Sequence, residues 1–383
     1  PSIMAELRQN TWTLDQWYDQ DVAGNVSYST NIKNLYGWGR NNLSGELGIN
    51  DNTNRSSPTQ IPGTTWKYIA MDGNNGYNGM GVKTDGTLWV WGSNGSGALG
   101  QNNLTQYSSP VQVPGTNWSD AFHCASGQGL ASKTDGTLWI WGNGNDGFIG
   151  QNQPNNADYS SPVQIGSGTD WGTTRGKVGK STAIKTDGTL WAWGGGSGLA
   201  NNLSGNPGRR SSPIQIPGTN WSTIQSSAYG NCAVKTDGTL WMWGTNQFGK
   251  FGQNNQTNYS SPIQIPGTWN TTMTGGNFYT TAFIKQNGEL WMIGHNEHGY
   301  LAQNDTVSRS SPVQVPGTWS EIGIGKEGFM GIRTDGTLWV WGNNDNGQLG
   351  LNNRTLYSSP VQLTGDWEQP KGAQFAMFAL QPQ

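Results

Sequence analysis

Apolar residues return along this chain in short alternating runs and not at helical spacing. In the run from Thr239 to Trp243, Leu and Met alternate with two Trp side chains, and the run from Ala233 to Lys235 just before it is also largely apolar. A period of two is typical of a β-strand, with both indole rings on one face and Leu and Met on the other. Because both faces carry large apolar side chains, we predict that both are buried.

A turn signal joins these two runs. Asp237-Gly238 separates them, and Asn287-Gly288 stands in the equivalent place 50 residues later. Asp-Gly and Asn-Gly favour a two-residue hairpin turn in which both central residues take positive φ. The exchange of Asp for Asn keeps this chemistry, so the sequence predicts a β-hairpin.

The hairpin belongs to a repeat of 48 to 52 residues that fills most of the chain. Each of seven copies carries the string S-S-P and a further Trp near the next turn, and each also has an aromatic pair before a glycine, except that the sixth copy has Trp291 with Ile293. These positions take up 19 of the 21 tryptophans. The S-S-P prolines are Pro58, Pro110, Pro162, Pro213, Pro262, Pro312 and Pro360. Four strands fit each copy, and seven four-stranded units of this length are the signature of a β-propeller. We therefore predict an all-β, seven-bladed propeller over residues 31–383.

The two ends of the repeat are incomplete in complementary ways. The first copy lacks its T-D-G half and begins at Asn34, whereas the chain ends on the apolar run from Phe375 to Leu380. We predict that the last blade takes two strands from each end of the chain, which protects the sheet edges.

Composition and charge exclude several classes of fold and function. Charged residues make up 12% of the chain and 58 glycines and 17 prolines interrupt it, which excludes a helical bundle. The formal net charge of -3 provides no strong field for nucleic acid or anionic lipid, and no apolar run is long enough for a membrane span. Cys124 and Cys232 cannot make a disulfide framework.

The repeat resembles the regulator of chromosome condensation family. The matching string is W-G-x-N-x-x-G-x-L-G, seen from Trp91 to Gly100 and from Trp341 to Gly350, each followed by the S-P-V-Q strand. The fourth copy departs from it at Gly194 to Leu199, and the sixth has Ile293 and His295 where other copies have Trp and a small polar residue. The near-identical, Asn-rich copies look like those of bacterial and phage-encoded members.

The resemblance implies several functions. The family is named after a nuclear exchange factor for a small GTPase, whose chromatin role needs basic tails, but the longest basic run here is Arg209-Arg210. A plant ultraviolet photoreceptor of the family uses a G-W-R-H-T motif that this chain lacks. Bacterial relatives use one propeller face to grip another protein. Since a fold does not determine its function, these implications are analogies.

Catalytic and metal sites are not predicted. His295 and His298 lie in a segment that favours a loop, so two histidines at this spacing do not converge as they would on a helix. Turn carboxylates recur at Asp85, Asp135, Asp187, Asp237 and Asp335, and each has a Lys or Arg two residues earlier. We interpret them as a solvated rim of turn residues, and we expect no cofactor and no enzymatic activity.

The opposite rim offers candidate partner-binding residues. Three residues before each S-S-P proline the chain places only Tyr or Arg: Arg55, Tyr107, Tyr159, Arg210, Tyr259, Arg309 and Tyr357. Both residue types are enriched at binding hot spots. The alternative is that each side chain covers the neighbouring blade, since a packing role would explain the repetition equally well.

Residues 1–30 lie outside the repeat and are predicted to form an anchoring arm. Thr13 begins a candidate helix, and Leu14, Trp17 and Tyr18 fall on one face of it, while Trp12 and Trp17 are the only tryptophans outside the repeat. So short a helix is marginal alone and must dock, either on the propeller or on a partner.

Together these features favour a structural and protein-binding propeller, displayed on a phage virion or a bacterial surface. A regulator of a small GTPase and a glycan-binding propeller with exposed Tyr residues are the alternatives.

Overall fold

In the computed structural model, seven four-stranded antiparallel sheets form a ring. The structure describes residues 32–71, 77–124, 127–152, 157–172, 178–179, 181–195, 209–227, 230–267, 269, 273–276 and 279–383. Within these residues the predicted all-β, seven-bladed propeller is confirmed, with short 3-10 turns at Asn145–Gly147 and Gln247–Gly249. The anchoring arm and its boundary at residue 30 lie outside the described residues.

Blades 1 to 6 each take their four strands in chain order. Blade 1 holds β3 (Trp66–Met71), β4 (Asn78–Lys83), β5 (Leu88–Gly92) and β6 (Tyr107–Val113), and blade 2 holds β7 (Trp118–Cys124), β8 (Gln128–Lys133), β9 (Leu138–Gly142) and β10 (Tyr159–Gln164). Blade 3 holds β11 (Val178–Gly179), β12 (Thr182–Ile184), β13 (Leu190–Gly194) and β14 (Arg210–Ile216), and blade 4 holds β15 (Trp221–Ser227), β16 (Gly230–Lys235), β17 (Leu240–Gly244) and β18 (Tyr259–Ile265). Blade 5 holds β19 (Met273–Gly276), β20 (Thr280–Ile284), β21 (Leu290–Gly294) and β22 (Arg309–Val315), and blade 6 holds β23 (Trp319–Ile324), β24 (Gly328–Arg333), β25 (Thr337–Gly342) and β26 (Tyr357–Asp366). The first strands of neighbouring blades contact one another, so they line the axis of the ring.

Blade 7 joins the two ends of the repeat, as the sequence predicted. Its strand order is β2 (Arg55–Ile61), β1 (Lys33–Gly39), β28 (Ala376–Pro382) and β27 (Glu368–Gly372). Strands β1 and β28 pair from Lys33 opposite Pro382 to Gly39 opposite Ala376. Two strands from each end therefore close the ring.

The apolar core lies between the blades. In one interface Leu88, Val90 and Val113 of blade 1 pack against Trp118 and Trp141 of blade 2, and six equivalent clusters fill the other interfaces. We predicted that both faces of the third strand are buried. The second Trp of each pair is buried between blades, as predicted. The first Trp, such as Trp89, is only half-buried, because it lies beside the hairpin turn.

Blade 5 compensates for the Ile293 that replaces a Trp. Its β20 carries Phe283 where the equivalent position of blade 4 has Ala233, and Phe283 packs 5.1 Å from Trp269 between ring centroids. Ile293 and Phe283 are both buried in the same cluster. Volume lost on one strand is therefore regained on its neighbour, as close packing requires.

The S-S-P string forms a bulge in the outermost strand. Between Val90 and Gly92 of β5 lies one residue, but their partners Val111 and Tyr107 on β6 are separated by the whole Ser-Ser-Pro segment. The bulge turns the Ser108 carbonyl out of the ladder, and the proline removes a donor from the exposed edge. Both features discourage edge-to-edge association.

The hairpin turn differs from the one predicted. Gly86 donates to the Lys83 carbonyl at 3.0 Å and Lys83 donates to the Thr87 carbonyl at 2.9 Å, which encloses three loop residues. Gly86 has a φ of 78°, whereas Asp85 is not among the residues with positive φ. The prediction of two positive-φ residues was therefore wrong, because this turn ends in a single left-handed glycine.

Candidate binding faces

The ring has two faces, which the strand directions fix. The T-D-G turns and the connections into each next blade lie on one side of the ring, which we call the turn face. For example, Trp118 at the start of blade 2 donates its backbone N–H to the carbonyl of Gly86 in the turn of blade 1 at 3.0 Å. The long loops between the third and fourth strands of each blade lie on the other side of the ring, together with the loops between the first and second strands. We call this side the loop face.

Side chains on the turn face are used by the turns themselves. The Trp89 indole N–H donates to Thr87 Oγ1 at 2.8 Å, and the Thr87 hydroxyl donates to Asp85 Oδ1 at 2.6 Å. Hydrogen bonds from Thr87 lower the pKa of Asp85. The same relay recurs at Asp135, Asp187, Asp237 and Asp335, and Asn287 replaces Asp in blade 5. These carboxylates are turn residues, as the sequence suggested.

The basic residues of the turn face cover tryptophan. Lys83 Nζ lies 5.0 Å from the Trp66 ring centroid and 4.2 Å from that of Trp89, and Arg333 lies between Trp319 and Trp339 in the same way. Lys133, Lys185, Lys235 and Lys285 repeat this contact. Cation–π contact with tryptophan explains why a Lys or Arg precedes each turn.

The long loops bind each blade to the next. Asn102, with a φ of 55°, donates its backbone N–H to the Ser160 carbonyl of the following blade at 2.7 Å. Equivalent bonds start from Asn50, Asn152, Asn254, Asn304 and Asn352, and the last of these crosses the closure to Ser56. Asn is one of the few residues that adopts this left-handed geometry readily. The repeated Asn and Ser residues therefore hold the ring together.

The predicted Tyr and Arg rim lies at the outer edge of the loop face. All seven side chains are half-buried, and Tyr107, Tyr159, Tyr259 and Tyr357 pack against the cores between blades. The Tyr hydroxyls accept hydrogen bonds at 3.3 to 3.4 Å from Asn103, Asn255 and Asn353, four residues earlier. These contacts favour the packing alternative for the buried part of each ring.

The Arg members of the rim make the same local contact with a carboxylate. Arg55 pairs with Asp51 at 2.5 Å, and Arg309 pairs with Asp305 through two hydrogen bonds of 2.6 and 3.0 Å. The bonds from Arg309 lower the pKa of Asp305 to about 2. In these copies the residue four positions before the rim residue is Asp where the rim residue is Arg, and Asn where it is Tyr. This pairing is visible in the sequence. Arg210 is half-buried and donates to the Arg209 carbonyl at 2.9 Å.

Sequence reasoning missed the positions where the copies differ. Two positions at the inner part of the loop face change from copy to copy although their backbone is the same. The residue after the third strand is Arg40, Ser93, Asn143, Gly195, Thr245, His295 or Asn343, and the second residue of G-x-L-G is Glu46, Ala98, Phe148, Lys250, Tyr300 or Gln348. Because repeated positions are used by packing, function is expected at the varied ones. A comparison of the copies position by position would have found them.

Around one of these positions, Arg40, charged and aromatic side chains of blades 6, 7 and 1 come together. Arg40 lies 4.1 Å from the Phe375 ring centroid and 4.9 Å from that of Tyr77, and its guanidinium pairs with buried Glu46 at 3.6 Å. Lys326 Nζ lies 5.4 Å from the same Phe375 ring. Phe375 is therefore bordered by two cations and is itself half-exposed.

A second group of aromatic side chains continues across blades 4 and 5. The His295 ring centroid lies 4.4 Å from that of Phe248, 5.6 Å from that of Tyr279 and 6.0 Å from that of Tyr300. His298 borders Tyr300 at 5.6 Å. Burial lowers the pKa of His295, against the opposing effect of Glu297, so the ring favours its neutral form. We call these two groups together the loop-face patch.

In the part of the chain that the structure describes, no three His, Cys, Asp or Glu side chains come together in a way that could hold an ion. A helix long and apolar enough to cross a membrane is also not found in that part.

Family models match three segments of the chain as the "Regulator of chromosome condensation (RCC1) repeat": residues 85–131, 237–283 and 335–374. A second model of the same repeat matches residues 319–348. These segments of the chain are therefore similar to the RCC1 repeat. A search of curated proteins found no relative that matches.

Several solved structures share the fold of this chain. Human WBSCR16 is 17% identical, with a TM-score of 0.78 over 92% of this chain and 99% of that one. Prp20p from Saccharomyces cerevisiae is 17% identical, with a TM-score of 0.79 over 94% of both chains. Prp20 solved in complex with Kap60 is 16% identical, with a TM-score of 0.76 over 92% of this chain and 90% of that one. At this identity the likeness shows the fold alone.

Proposed function

We propose that this chain is a non-enzymatic, protein-binding propeller that grips its partner through the loop face. The observation that carries the proposal is the distribution of repeated and varied residues. Repeated Asn, Ser, Trp and Lys residues hold the ring, whereas charged and aromatic departures such as Arg40, His295, Lys326 and Phe375 gather on one face. Structural demands do not explain why these positions differ between copies.

Physical chemistry also favours this face for protein binding. Arg and aromatic side chains that keep part of their surface exposed supply most of the binding energy in typical protein interfaces. The half-buried Tyr and Arg rim lies on the same loop face, at its outer edge. Among the similar structures, Prp20 has been solved bound to Kap60, and binding of Prp20p to Gsp1p and histones has been described. These partners support protein binding in general and identify none for this chain.

Partner capture by the immobilised protein tests the proposal. We expect Lys326→Ala combined with Tyr279→Ala to weaken capture by at least about tenfold, because two half-exposed side chains would leave the contact surface. The rim variant Tyr107→Ala, Tyr159→Ala and Tyr259→Ala should weaken it as well if the rim takes part.

Turn-face variants Asp85→Asn and Asp135→Asn are the matched control, since Asn287 already occupies this turn position. They should leave capture unchanged. Thermal unfolding of every variant separates lost contacts from lost structure. Unaltered capture by folded patch and rim variants, or loss of capture in the turn-face control, would contradict a loop-face contact.

Display on a phage virion or a bacterial surface is the finer part of the proposal. It rests on the near-identical, Asn-rich copies and on the arm of residues 1–30, which contains Trp12 and for which the sequence predicts an apolar face of Leu14, Trp17 and Tyr18 that the ring does not need for closure.

We expect a chain that begins at Thr30 to fold but to lose attachment to its parent particle. Burial of the apolar face of the arm can release several kcal/mol at roughly 25 cal/mol per Å², and this contribution would vanish with the arm. Circular dichroism checks folding, and co-sedimentation with the particle checks attachment. Full attachment of the shortened chain would overturn the anchor, and an unfolded chain would show that the arm packs on the propeller.

A small-GTPase regulator is the alternative that the RCC1 repeats favour. It predicts faster nucleotide release from a purified small GTPase, which the proposed display protein would not cause. A glycan-binding propeller would instead give glycan-array signals that disappear with Tyr107→Ala or Tyr259→Ala.

A further inference from the structure

Blade 7 lacks the basic side chain that covers the aromatic pair of every other blade. In blade 1, Lys83 Nζ lies 5.0 Å from the Trp66 ring centroid and 4.2 Å from that of Trp89. Blades 2 to 6 repeat this contact with a lysine or an arginine. Lys83 ends strand β4, and the strand pairing of blade 7 puts Gln381 of β28 in the equivalent position. A glutamine amide carries no charge, so the contact is incomplete in blade 7.

The aromatic pair itself is retained in blade 7. The ring centroids of Tyr36 and Trp367 lie 5.4 Å apart with 88° between the planes, and those of Trp269 and Trp291 in blade 5 lie 6.5 Å apart at the same angle. The Trp367 indole N–H donates to the Thr364 carbonyl at 3.0 Å, as that of Trp269 does within its own connection. Tyr36 is half-exposed, and none of the described Lys and Arg side chains lies over either ring of the pair. Blade 7 therefore presents both rings of the contact without the cation.

Blade 3 shows how a carboxylate completes such a contact. Lys185 Nζ lies 2.9 Å from Asp170 Oδ2, and it lies 5.1 and 4.9 Å from the ring centroids of Trp171 and Trp191. Asp366 directly precedes the equivalent tryptophan of blade 7, whereas the other five copies have Thr or Asn there. Blade 7 thus shares with blade 3 the acidic residue and the aromatic pair, but not the lysine.

The connection into blade 6 shows where the residue before the tryptophan lies. This connection has the same length as the one into blade 7. In blade 6, Thr318 Oγ1 lies 2.8 Å from Thr334 Oγ1, and Thr334 directly follows Arg333, the cation of that blade. The equivalent residues of blade 7 are Asp366 and Pro382, so the fold brings the aspartate to the end of the strand that carries Gln381.

The charges around this place favour a cation. Asp366 is exposed, and its side chain makes no hydrogen bond or ion pair with a described residue. The neighbouring cation Lys33 is instead paired with Glu368. A cation over aromatic rings gains electrostatic free energy, and a carboxylate beside it adds to the attraction. The aromatic pair and Asp366 therefore complement a positively charged group.

We propose that Tyr36, Asp366 and Trp367, which we call the blade 7 cradle, bind a lysine or arginine side chain of a partner protein on the turn face. The chain itself shows the occupant, because the other six blades cover the same aromatic pair with Lys or Arg. The cationic group lies over the two rings and pairs with Asp366, as Lys185 does with Asp170 in blade 3. This contact is on the face opposite the loop-face patch, so it goes beyond the proposed function and does not depend on it.

A small cation tests the cradle in the full chain. The probe is Nα-acetyl-lysine amide, and NMR follows the indole N–H signal of Trp367, which a Trp367→Phe variant identifies. The control is Nα-acetyl-norleucine amide, which keeps an alkyl stem and has no ammonium group. We expect a saturable shift with the lysine probe, with a dissociation constant of about 1 to 50 mM, and at least about fivefold weaker binding of the control. Equal responses to the two probes, or no response to either, would overturn the cradle.

Exchange of Gln381 fills the cradle from within the chain. Gln381→Lys should remove the response of Trp367 to the lysine probe and raise the thermal unfolding midpoint by about 1 to 3 °C. Gln381→Met covers the rings without a charge and should raise the midpoint less. Asp366→Asn should weaken binding of the lysine probe by about threefold. An unchanged Trp367 response in Gln381→Lys would place binding elsewhere, and an equal midpoint for the Met variant would show that charge contributes nothing.

The reverse exchange in blade 3 tests the equivalence of the two blades. Lys185→Gln leaves Asp170 and its aromatic pair without their cation, so the indole signal of Trp171 should become responsive to the lysine probe. A folded Lys185→Gln variant without this response would contradict the comparison on which the cradle rests.

One basic residue of the chain itself competes with a partner for the cradle. Residues 1–30 contain a single Lys or Arg, which is Arg8. We expect Trp367 to respond equally to the lysine probe in the unaltered chain and in Arg8→Gln. A response only in Arg8→Gln would mean that the arm occupies the cradle, and it would overturn the assignment to a partner protein.

Discussion

Removal of Phe375 to Gln383 should unfold the whole ring and not only fray one blade. Strand β28 lies between β1 and β27, so its loss leaves β27 without a partner and β1 paired only with β2. Phe378 and Leu380 are buried in the interface with blade 1, and Met377 is buried in the interface with blade 6. Truncation of each large core side chain costs about 2 to 5 kcal/mol. The sum is of the same order as the whole stability of a typical domain, about 5 to 15 kcal/mol.

Circular dichroism during heating and in urea measures this effect. We expect a much lower midpoint or an unfolded chain, with all strands lost together. Removal of only the exposed Pro382 and Gln383 is the control, and its midpoint should stay close to that of the full chain. An unchanged midpoint after the longer deletion would contradict closure by both ends.

The propeller was predictable from the repeat because each repeated residue has a structural role. S-S-P makes an outer bulge, Asn102 and its equivalents bind the next blade, and the Trp pair fills the interface between blades. Such demands return in every copy, so spacing alone gave the strand number, the blade number and the closure through β28. The hairpin type was not predictable from Asp-Gly, because the same pair also fits a three-residue loop that ends in a left-handed glycine.

The candidate site was harder to predict for a physical reason. Tyr107 and Arg309 were predicted to bind a partner because Tyr or Arg recurs at this position in every copy. Their repetition instead reflects the contacts with Asn103 and Asp305 that stabilise their loops. The loop-face patch contains residues that occur once, and the members of each of its two groups come together only when neighbouring blades pack side by side. Lys326 and Phe375, for example, are 49 positions apart in the sequence and meet at 5.4 Å.

The buried Trp of each pair should be the most sensitive single position in the chain. Trp91 is fully buried between blades 7 and 1, and its indole N–H donates to the Glu46 carbonyl of the neighbouring blade at 3.0 Å. Trp141, Trp193 and Trp341 make the same bond across their interfaces. Trp91→Ala removes both the ring and the donor, so we expect a loss of about 3 to 5 kcal/mol in the free energy of unfolding.

Trp91→Phe separates the two contributions. It keeps an aromatic ring in the interface but leaves the Glu46 carbonyl without its indole donor, and a buried acceptor without a partner costs about 1 to 3 kcal/mol. We therefore expect it to lose less stability than Trp91→Ala in urea unfolding. Trp89→Phe is the matched control on the same strand, because Trp89 is half-exposed and its N–H bonds within its own turn. If the two Phe variants lose equal stability, the indole hydrogen bond between blades contributes no more than the one within the turn, and Trp91 stabilises the interface through packing.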